Sequence, residues 1–164
     1  MKLAPQEVRT FFGTTVTWGR RPIFRAEPLA NLLLDVLLHY RQEGKYQLHE
    51  FVIMPDHLHL LITPAVVVSL EKAVQLIKGG FSYRVKKELS SNLVIWQSGF
   101  TNHRIRGADD YVKHRMYIYE NPVRARLAEA AEAYAYCSAA ATIELDPPPP
   151  GLKPKLEAGS VSQG

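Results

Sequence analysis

The feature that most constrains the fold is a pair of apolar segments joined by only two residues. Tyr46–Met54 and 57–62 both have the composition of β-strands, and Pro55-Asp56 alone separates them. So short a connection joins antiparallel neighbours, because a parallel pair needs a crossover of a dozen or more residues. The sequence therefore predicts a β-hairpin in the first half of the chain.

A strand and a helix precede this hairpin. Residues 11–18 are rich in β-branched and aromatic side chains and end at a Gly and a basic turn, which predicts a strand. An amphipathic helix follows, with Pro28 in its first turn and its end at Gly44. Its apolar positions recur with helical spacing: Leu29, Leu32, Leu33, Val36, Leu37 and Tyr40.

A second helix and further strands follow the hairpin. Ser69 is the predicted N-cap of the helix, and the adjacent glycines Gly79-Gly80 predict a kink or a close approach by another backbone. Residues 93–96 and 101–105 are predicted short strands, and another helix begins near Asp109. The order β-α-β-β-α-β predicts an α+β, ferredoxin-like split βαβ sandwich, an antiparallel sheet with two helices on one face.

Composition limits the class of protein. With 164 residues, 46% of them hydrophobic, the chain suits one domain, expected at 1–145. Residues 146–164 include four consecutive prolines, which predict a disordered tail. Cys137 is the only cysteine, and no apolar run reaches the roughly 20 residues of a membrane span, so a soluble cytoplasmic protein is expected.

The hairpin carries two histidines, His57 and His59, separated by one leucine. In a strand, side chains two residues apart point to the same face, so both imidazoles project together while Leu58 points to the core. They could converge on one metal ion, since imidazole is the commonest metal ligand in proteins. They could equally be polar residues of a half-exposed strand, and a bare H-x-H pattern does not decide between these interpretations.

A tyrosine and an asparagine further along the chain could complete a site. Tyr117 and Asn121 are four residues apart on the predicted helix and therefore neighbours on one of its faces. Asn121-Pro122 also has the pattern of an N-cap followed by proline, which would begin a new helix instead. Tyr119 competes with Tyr117 as the reactive phenol.

Three separated motifs together resemble the single-tyrosine HUH transposases, and in particular the REP-associated tyrosine transposases related to small IS200-like insertion sequences. The motifs run in the family's order within about residues 11–127. They are MPDHLHLLI around His57 and His59, IWQSGF leading to HRIR at 103–106, and YIYENPVRA from Tyr117.

This resemblance implies a transposase and endonuclease that cuts and rejoins single-stranded DNA beside hairpins formed by REP-like palindromes. Carried over to this chain, Tyr117 would attack the scissile phosphate and hold the DNA 5′ end covalently. His57, His59 and Asn121 would bind a divalent cation. Relatives act as monomers or as homodimers, and the resemblance does not choose between these states.

The chemistry agrees with these residue types. A phenol has a pKa near ~10, so a neighbouring cation would help to form the nucleophile or polarise the phosphate. Mg²⁺ and Mn²⁺ are the candidates, and two imidazoles with an amide suit Mn²⁺ better by ligand softness. A phosphotyrosine conserves the phosphodiester energy, so no nucleotide cofactor is expected, and the sequence has no GxxxxGK[ST] loop.

Positive charge is concentrated in one segment. Residues 72–126 hold eleven of the twenty Lys and Arg and only four acids, which gives this segment +7 and the remainder −3. That polarity is typical of a protein that presents a basic face to a polyanion. The expected phosphate contacts are Lys78, Arg84, Lys86, Lys87, Arg104 and Arg106.

Two other functions fit the same residues. A ferredoxin-like sheet with a basic face also serves nucleic-acid-binding proteins without catalysis, which would bind hairpins of DNA or RNA and form no adduct. In a metal-dependent hydrolase, the histidines would activate water and Tyr117 would be only structural.

Overall fold

The computed structural model describes residues 8–142 and 144–154. These residues form four strands and three α-helices, and short 3-10 turns connect or follow them. They are β1 (Phe11–Val16), α1 (Glu27–Gln42), β2 (Tyr46–Met54), β3 (His57–Pro64), α2 (Leu70–Leu89), β4 (Thr101–Arg104) and α3 (Ala108–Arg124).

The four strands form one sheet in the order β2-β3-β1-β4, and every neighbouring pair is antiparallel. This arrangement confirms the predicted ferredoxin-like sandwich. Helices α1 and α2 cover one face, where Leu58, Leu60 and Ile62 of β3 are buried in the larger apolar core. Burial of these leucine and isoleucine side chains stabilises the fold by roughly 1.5–3 kcal/mol each.

Helix α3 crosses the opposite face of the sheet. Its Tyr111 and Ile118 pack against Val52, Met54 and Leu61 in a smaller core. Because side chains alternate along β3, this face also receives the two histidines of the hairpin. The sheet is therefore covered by helices on both sides, with α3 over the side that carries the polar residues.

Three local predictions need correction. The first strand ends at Val16 rather than residue 18, because Gly19 and Arg20 take left-handed backbone conformations that an extended strand cannot include. Residues 93–96 form no strand and contribute only a single bridge between Trp96 and Thr17. Helix α2 continues without a break through the glycine pair to Leu89.

The glycine pair does mark a close approach, although a side chain makes it. A Cβ at Gly80 would lie 2.8 Å from the hydroxyl oxygen of Tyr40 in α1, whereas one at Gly79 would meet nothing within 4 Å. Gly80 therefore allows α1 and α2 to pack closely.

Helix α3 does not end at Asn121, so the alternative in which Asn121 begins a new helix is wrong. The helix runs through Pro122 to Arg124, and the Asn121 and Pro122 carbonyls accept bonds from the Ala125 and Leu127 amides. Pro122 lacks an N–H and costs one hydrogen bond, which is tolerable here because the helix ends two residues later. Asn121 therefore stays on the same helical face as Tyr117.

The chain after residue 145 begins in contact with the domain rather than as a free tail. The Asp146 carboxylate accepts hydrogen bonds from the Arg41 Nε and the Leu48 amide, both at 2.8 Å. Leu152 packs against the smaller core. Residues 155–164 lie outside the described residues, so disorder there stays a prediction. None of the helices in the described part of the chain has the length and hydropathy needed to cross a membrane.

Candidate active site

The two histidines of the hairpin lie side by side beneath α3. His57 and His59 occupy alternate positions of β3, opposite Val16 and Thr14 of β1, and their ring centroids are 4.6 Å apart. The two histidines, two residues apart in the sequence, therefore lie on the same face of the strand, as predicted. The remaining polar groups of the site are arranged around it.

His57 is oriented by the carboxylate that precedes it. Its Nδ1 lies 2.7 Å from Oδ1 of Asp56, and since an ionised carboxylate can only accept, Nδ1 carries the proton. Arg20 contacts the other oxygen at 3.4 Å. Burial alone would raise the pKa of Asp56, but the bonds from His57 and Arg20 hold that pKa below its usual value. This arrangement leaves the lone pair of His57 Nε2 as a potential metal ligand.

His59 is held in a similar way by Thr14. Its Nδ1 shares a hydrogen bond of 2.7 Å with the Thr14 hydroxyl, across the β1–β3 pair. The residue is only 5% exposed, and its buried Nε2 has no hydrogen-bond partner in the described residues. Burial and, secondly, electrostatic repulsion between the two imidazoles in their protonated forms lower the pKa of His59 to about 3, so the ring is neutral. A neutral, buried imidazole with an unpartnered nitrogen has the properties of a metal ligand.

Tyr117 is the phenol that reaches this pair. Its ring meets His59 edge-on at 5.3 Å and Phe12 at 5.8 Å, and the residue is 40% exposed. Tyr119 points elsewhere, because its hydroxyl donates to Glu50 at 2.9 Å beneath the helix. Burial and the Glu50 charge raise the pKa of Tyr119 well above the ordinary value of a phenol, which makes it a poor nucleophile. Of the two candidates, only Tyr117 lies beside the histidines.

Asn121 lies one turn after Tyr117 on the same side of α3. Its Nδ2 donates to the Tyr117 carbonyl at 2.7 Å, which fixes the amide and leaves its Oδ1 as an acceptor. The amide is also close enough to His59 to oppose the fall in that residue's pKa, although Nε2 forms no hydrogen bond of good geometry. An oxygen beside an imidazole nitrogen without a bond between them could share a cation with it.

These side chains line one open cleft of about 770 Å³ between the sheet and α3. Two cations that the sequence analysis did not select, Arg20 and Lys113, also line it. Arg20 belongs to the basic turn after β1, which was visible in the sequence, but its proximity to His57 depends on strand pairing. The cleft therefore combines a phenol, paired imidazoles, an amide and positive charge.

A second cluster of possible metal ligands lies next to this cleft. Asp110 bonds His103 Nε2 at 2.7 Å and lies 3.1 Å from His114 Nδ1, and the two imidazole rings stack. His103 and Asp110 were not selected as ligands from the sequence, because β4 and α3 meet only in the folded chain. Here the nitrogens already have hydrogen-bond partners, since His114 Nδ1 also donates to the Asp110 carbonyl at 2.8 Å. The His57–His59 pair has the stronger need for a further partner.

None of the six predicted phosphate contacts lines the cleft. Helix α2 packs on the opposite face of the sheet, and its Lys78 instead donates to the carbonyls of Gln97 and Gly99. Arg84 is paired with Glu88 and Asp35. Arg104 and Arg106 line a separate cavity of about 720 Å³ near residues 149–152. Lys86 and Lys87 are exposed on α2, and Lys87 lies over the Tyr83 ring.

Comparison with known proteins connects this site to a family. The family model described as "Transposase IS200 like" matches residues 14–134, which include both histidines, Tyr117 and Asn121. A REP-associated tyrosine transposase of Escherichia coli K12 is 28% identical over 94 residues, covering 57% of this chain and 54% of the relative. A Haemophilus influenzae protein named for the same group is 30% identical over 112 residues, covering 60% of this chain and 64% of the relative.

A solved structure supports the same relationship at the level of the fold. A REP-associated tyrosine transposase bound to a REP hairpin superposes with a TM-score of 0.68 at 22% identity, covering 84% of this chain and 82% of that chain. The chain spans between about half and two thirds of the length of the two curated relatives. Since the family model covers most of the chain and all of the candidate site, this protein belongs to the IS200-like transposase family.

Proposed function

We propose that the protein is a metal-dependent transposase that cleaves and rejoins single-stranded DNA beside REP-like hairpins through a covalent 5′-phosphotyrosine. The observation that carries the proposal is the cleft in which Tyr117 meets a histidine pair containing the unpartnered Nε2 of His59. Two curated relatives are named as REP-associated tyrosine transposases, which supports the transposase part of the proposal. Hairpin DNA is the proposed partner, since a structural neighbour is described in complex with a REP hairpin.

Each residue has a distinct proposed role. Tyr117 Oη loses its proton to solvent and attacks the scissile phosphorus, the P–O3′ bond breaks, and the leaving 3′ oxygen takes up a proton from solvent. His57, His59 and Asn121 would hold a divalent cation, which when bound supplies charge stabilisation at the phosphate. Asp56 and Thr14 orient the two imidazoles by bonding their Nδ1 atoms. Attack by the freed 3′ hydroxyl on the phosphotyrosine reverses the step and rejoins the strand.

The cleft also supplies positive charge for the DNA backbone. Arg20 and Lys113 lie where they could neutralise the phosphates next to the scissile bond. The six cations predicted from the sequence remain proposed contacts for the hairpin stem, although the carbonyls and carboxylates around Lys78 and Arg84 already bind those side chains. Because Tyr117 and the histidines belong to one chain, the proposed reaction does not require a homodimer that exchanges α3, and both a monomer and a homodimer are compatible with it.

The test is formation of a covalent adduct with labelled single-stranded DNA that contains REP-like hairpins, in Mn²⁺ or Mg²⁺. Wild-type protein should give a labelled band that migrates with the protein on a denaturing gel and that disappears with EDTA. Tyr117→Phe should remove the band, whereas the matched variant Tyr119→Phe should keep it. Phenylalanine retains the ring contacts at both positions.

Other outcomes would assign the alternative functions. Cleavage that persists in Tyr117→Phe with a free 5′ phosphate would indicate a hydrolase that activates water. Tight hairpin binding without an adduct or cleavage under any metal would indicate a catalytically silent binding protein.

A further inference from the structure

The turn that follows β1 has an exposed aromatic ring two residues before Arg20, which lines the cleft. Trp18 is 55% exposed and is followed by Gly19 and Arg20, both with left-handed backbone angles of φ 62° and 51°. The left-handed conformation costs a non-glycine residue such as Arg20 of order 1 kcal/mol, and it persists only where the surroundings impose it. The turn is therefore held in an unfavourable shape with its indole ring in solvent.

Backbone and side-chain bonds fix this turn on several sides. The Trp18 amide donates to the Ile95 carbonyl at 2.9 Å, and the Trp18 carbonyl accepts from Arg21 Nε at 3.1 Å. The Thr17 hydroxyl lies 2.8 Å from the Arg21 carbonyl and 3.1 Å from that of Asp56. These bonds set the backbone of the turn, but none of them involves the indole ring. In the range that the structure describes, no aromatic or cationic group stacks on Trp18.

Positive charge connects the turn to the histidine pair. Arg20 lines the cleft and contacts Asp56, the carboxylate that orients His57. Arg21 Nη2 donates to the Val94 carbonyl and remains on the exposed side of the turn. A strand that passed from Trp18 to Tyr117 would therefore run beside a guanidinium group. Proteins bind single-stranded nucleic acids by combining an exposed aromatic ring, on which a base stacks, with a cation that contacts the neighbouring phosphate.

We propose that the turn Trp18–Arg20 is a nucleotide-binding subsite for the single strand next to the scissile phosphate. Trp18 stacks on one unpaired base, and Arg20 neutralises the adjoining phosphate. The partner is single-stranded rather than duplex DNA, because a base within a duplex already has both faces covered by its neighbours. This inference rests on the proposed function and adds a specific residue that binds the substrate.

The experiment compares two hairpins that differ only in a single-stranded extension, with affinity measured by fluorescence anisotropy at fixed salt. Trp18→Ala should weaken binding of the extended hairpin by about tenfold or more, since stacking on one base contributes roughly 1–3 kcal/mol. Binding of the blunt hairpin should not change, and Trp18→Phe should retain most of the affinity. Tyr83→Ala is the matched control, because Tyr83 is 63% exposed but lies on α2 at the other face.

An abasic scan locates the base. A single abasic nucleotide is placed at each position of the extension in turn. At one position it should weaken binding by the wild-type protein, whereas it should cause almost no further loss of affinity in Trp18→Ala. This loss of additivity indicates that the ring and that base contact each other. Arg20→Gln should in addition reduce the slope of log affinity against log salt concentration by about one, because one fewer counterion is released on binding.

Either of two results would overturn the subsite. Trp18→Ala could bind the extended hairpin as tightly as wild type, or it could lose affinity for the blunt and extended hairpins equally. These failures are distinct from failure of the proposed function, in which wild-type protein would form no adduct with any hairpin. Thermal melting of each variant separates lost contacts from lost folding.

Discussion

The two faces of strand β3 have different roles, although the same eight residues form both. On the face toward α1 and α2, Leu58, Leu60 and Ile62 are buried among apolar side chains. On the face toward α3, His57 and His59 occupy the intervening positions and line a cleft with Tyr117. One face contributes the burial that stabilises the domain, and the other accepts buried polar atoms that stabilise it poorly. Substitutions at adjacent residues should therefore affect either function or stability.

Adjacent substitutions on β3 give the largest expected difference. His59→Ala should reduce adduct formation by at least about 100-fold, because a direct ligand should matter more than the outer residues whose loss costs 10–100-fold. Its unfolding free energy should fall by less than that of a core variant, because loss of the Thr14 bond and the ring contacts is offset in part by removal of a buried nitrogen without a partner. Leu60→Ala should instead lose about 2–5 kcal/mol of stability, while the folded fraction keeps its activity. Urea unfolding and adduct formation at matched folded fractions check both, and equal loss of activity in the two variants would contradict the division.

The next pair of substitutions is on β1. Thr14→Val removes the bond to His59 Nδ1 and should weaken Mn²⁺ binding by about 10–100-fold in calorimetry. Thr15 faces the opposite side, and its buried hydroxyl has no partner in the described residues. Thr15→Val should leave Mn²⁺ binding unchanged and stabilise the protein by about 1 kcal/mol, because it removes an unsatisfied polar group. A destabilised Thr15→Val variant would show that this hydroxyl has a partner in solution.

The same Mn²⁺ titration decides which histidines bind metal. His103→Ala removes one member of the second cluster, and it should bind Mn²⁺ as wild type does if His57 and His59 form the site. A loss of binding in His103→Ala with retention in His59→Ala would instead assign the metal to the second cluster.

Buried imidazoles should make the α3 side sensitive to acid. Burial lowers the pKa of His49, which bonds the Asp146 carbonyl and the Thr63 hydroxyl. The unfolded chain therefore binds a proton that the folded chain excludes, and stability should fall as pH drops below about 6.5, by at most about 1.4 kcal/mol per pH unit for this group. Urea unfolding in EDTA between pH 8 and 5 measures the slope. His49→Gln should reduce it.

The smallest expected effect is on the α1–α2 side. Gly79→Ala should stabilise the domain by about 0.5–1 kcal/mol, since alanine favours the helix and its Cβ meets nothing. Gly80→Ala should be destabilising by about 1 kcal/mol or more, because the Tyr40 ring must move. Both variants should form the adduct at the wild-type rate. A stabilised Gly80→Ala variant would indicate that Tyr40 moves aside easily.

Local chemistry made much of the fold predictable. The hairpin, the helix after Ser69 and the succession of strands and helices along the chain follow from hydrophobic periodicity, turn length and capping, all of which act between near neighbours in sequence, although β3 ends at Pro64 rather than residue 62. The strand predicted at 93–96 was wrong because a strand needs a neighbouring strand to pair with, and in this segment only Trp96 forms a bridge. The continuation of α3 past Pro122 was unpredicted, since the position of a proline within its helix is set by where that helix ends.

The sequence by itself determined that His57 and His59 share a face, because side chains alternate along any strand, and that Tyr117 and Asn121 share a face of a helix. Only the tertiary structure decided that these two faces meet, and that Tyr119 instead lies against Glu50. It likewise brought Arg20 to the cleft and left the α2 cations on the other side of the sheet. The physical reason is that periodicity fixes the direction of a side chain relative to its own element, whereas the pairing of distant strands and the packing of helices fix which elements face each other.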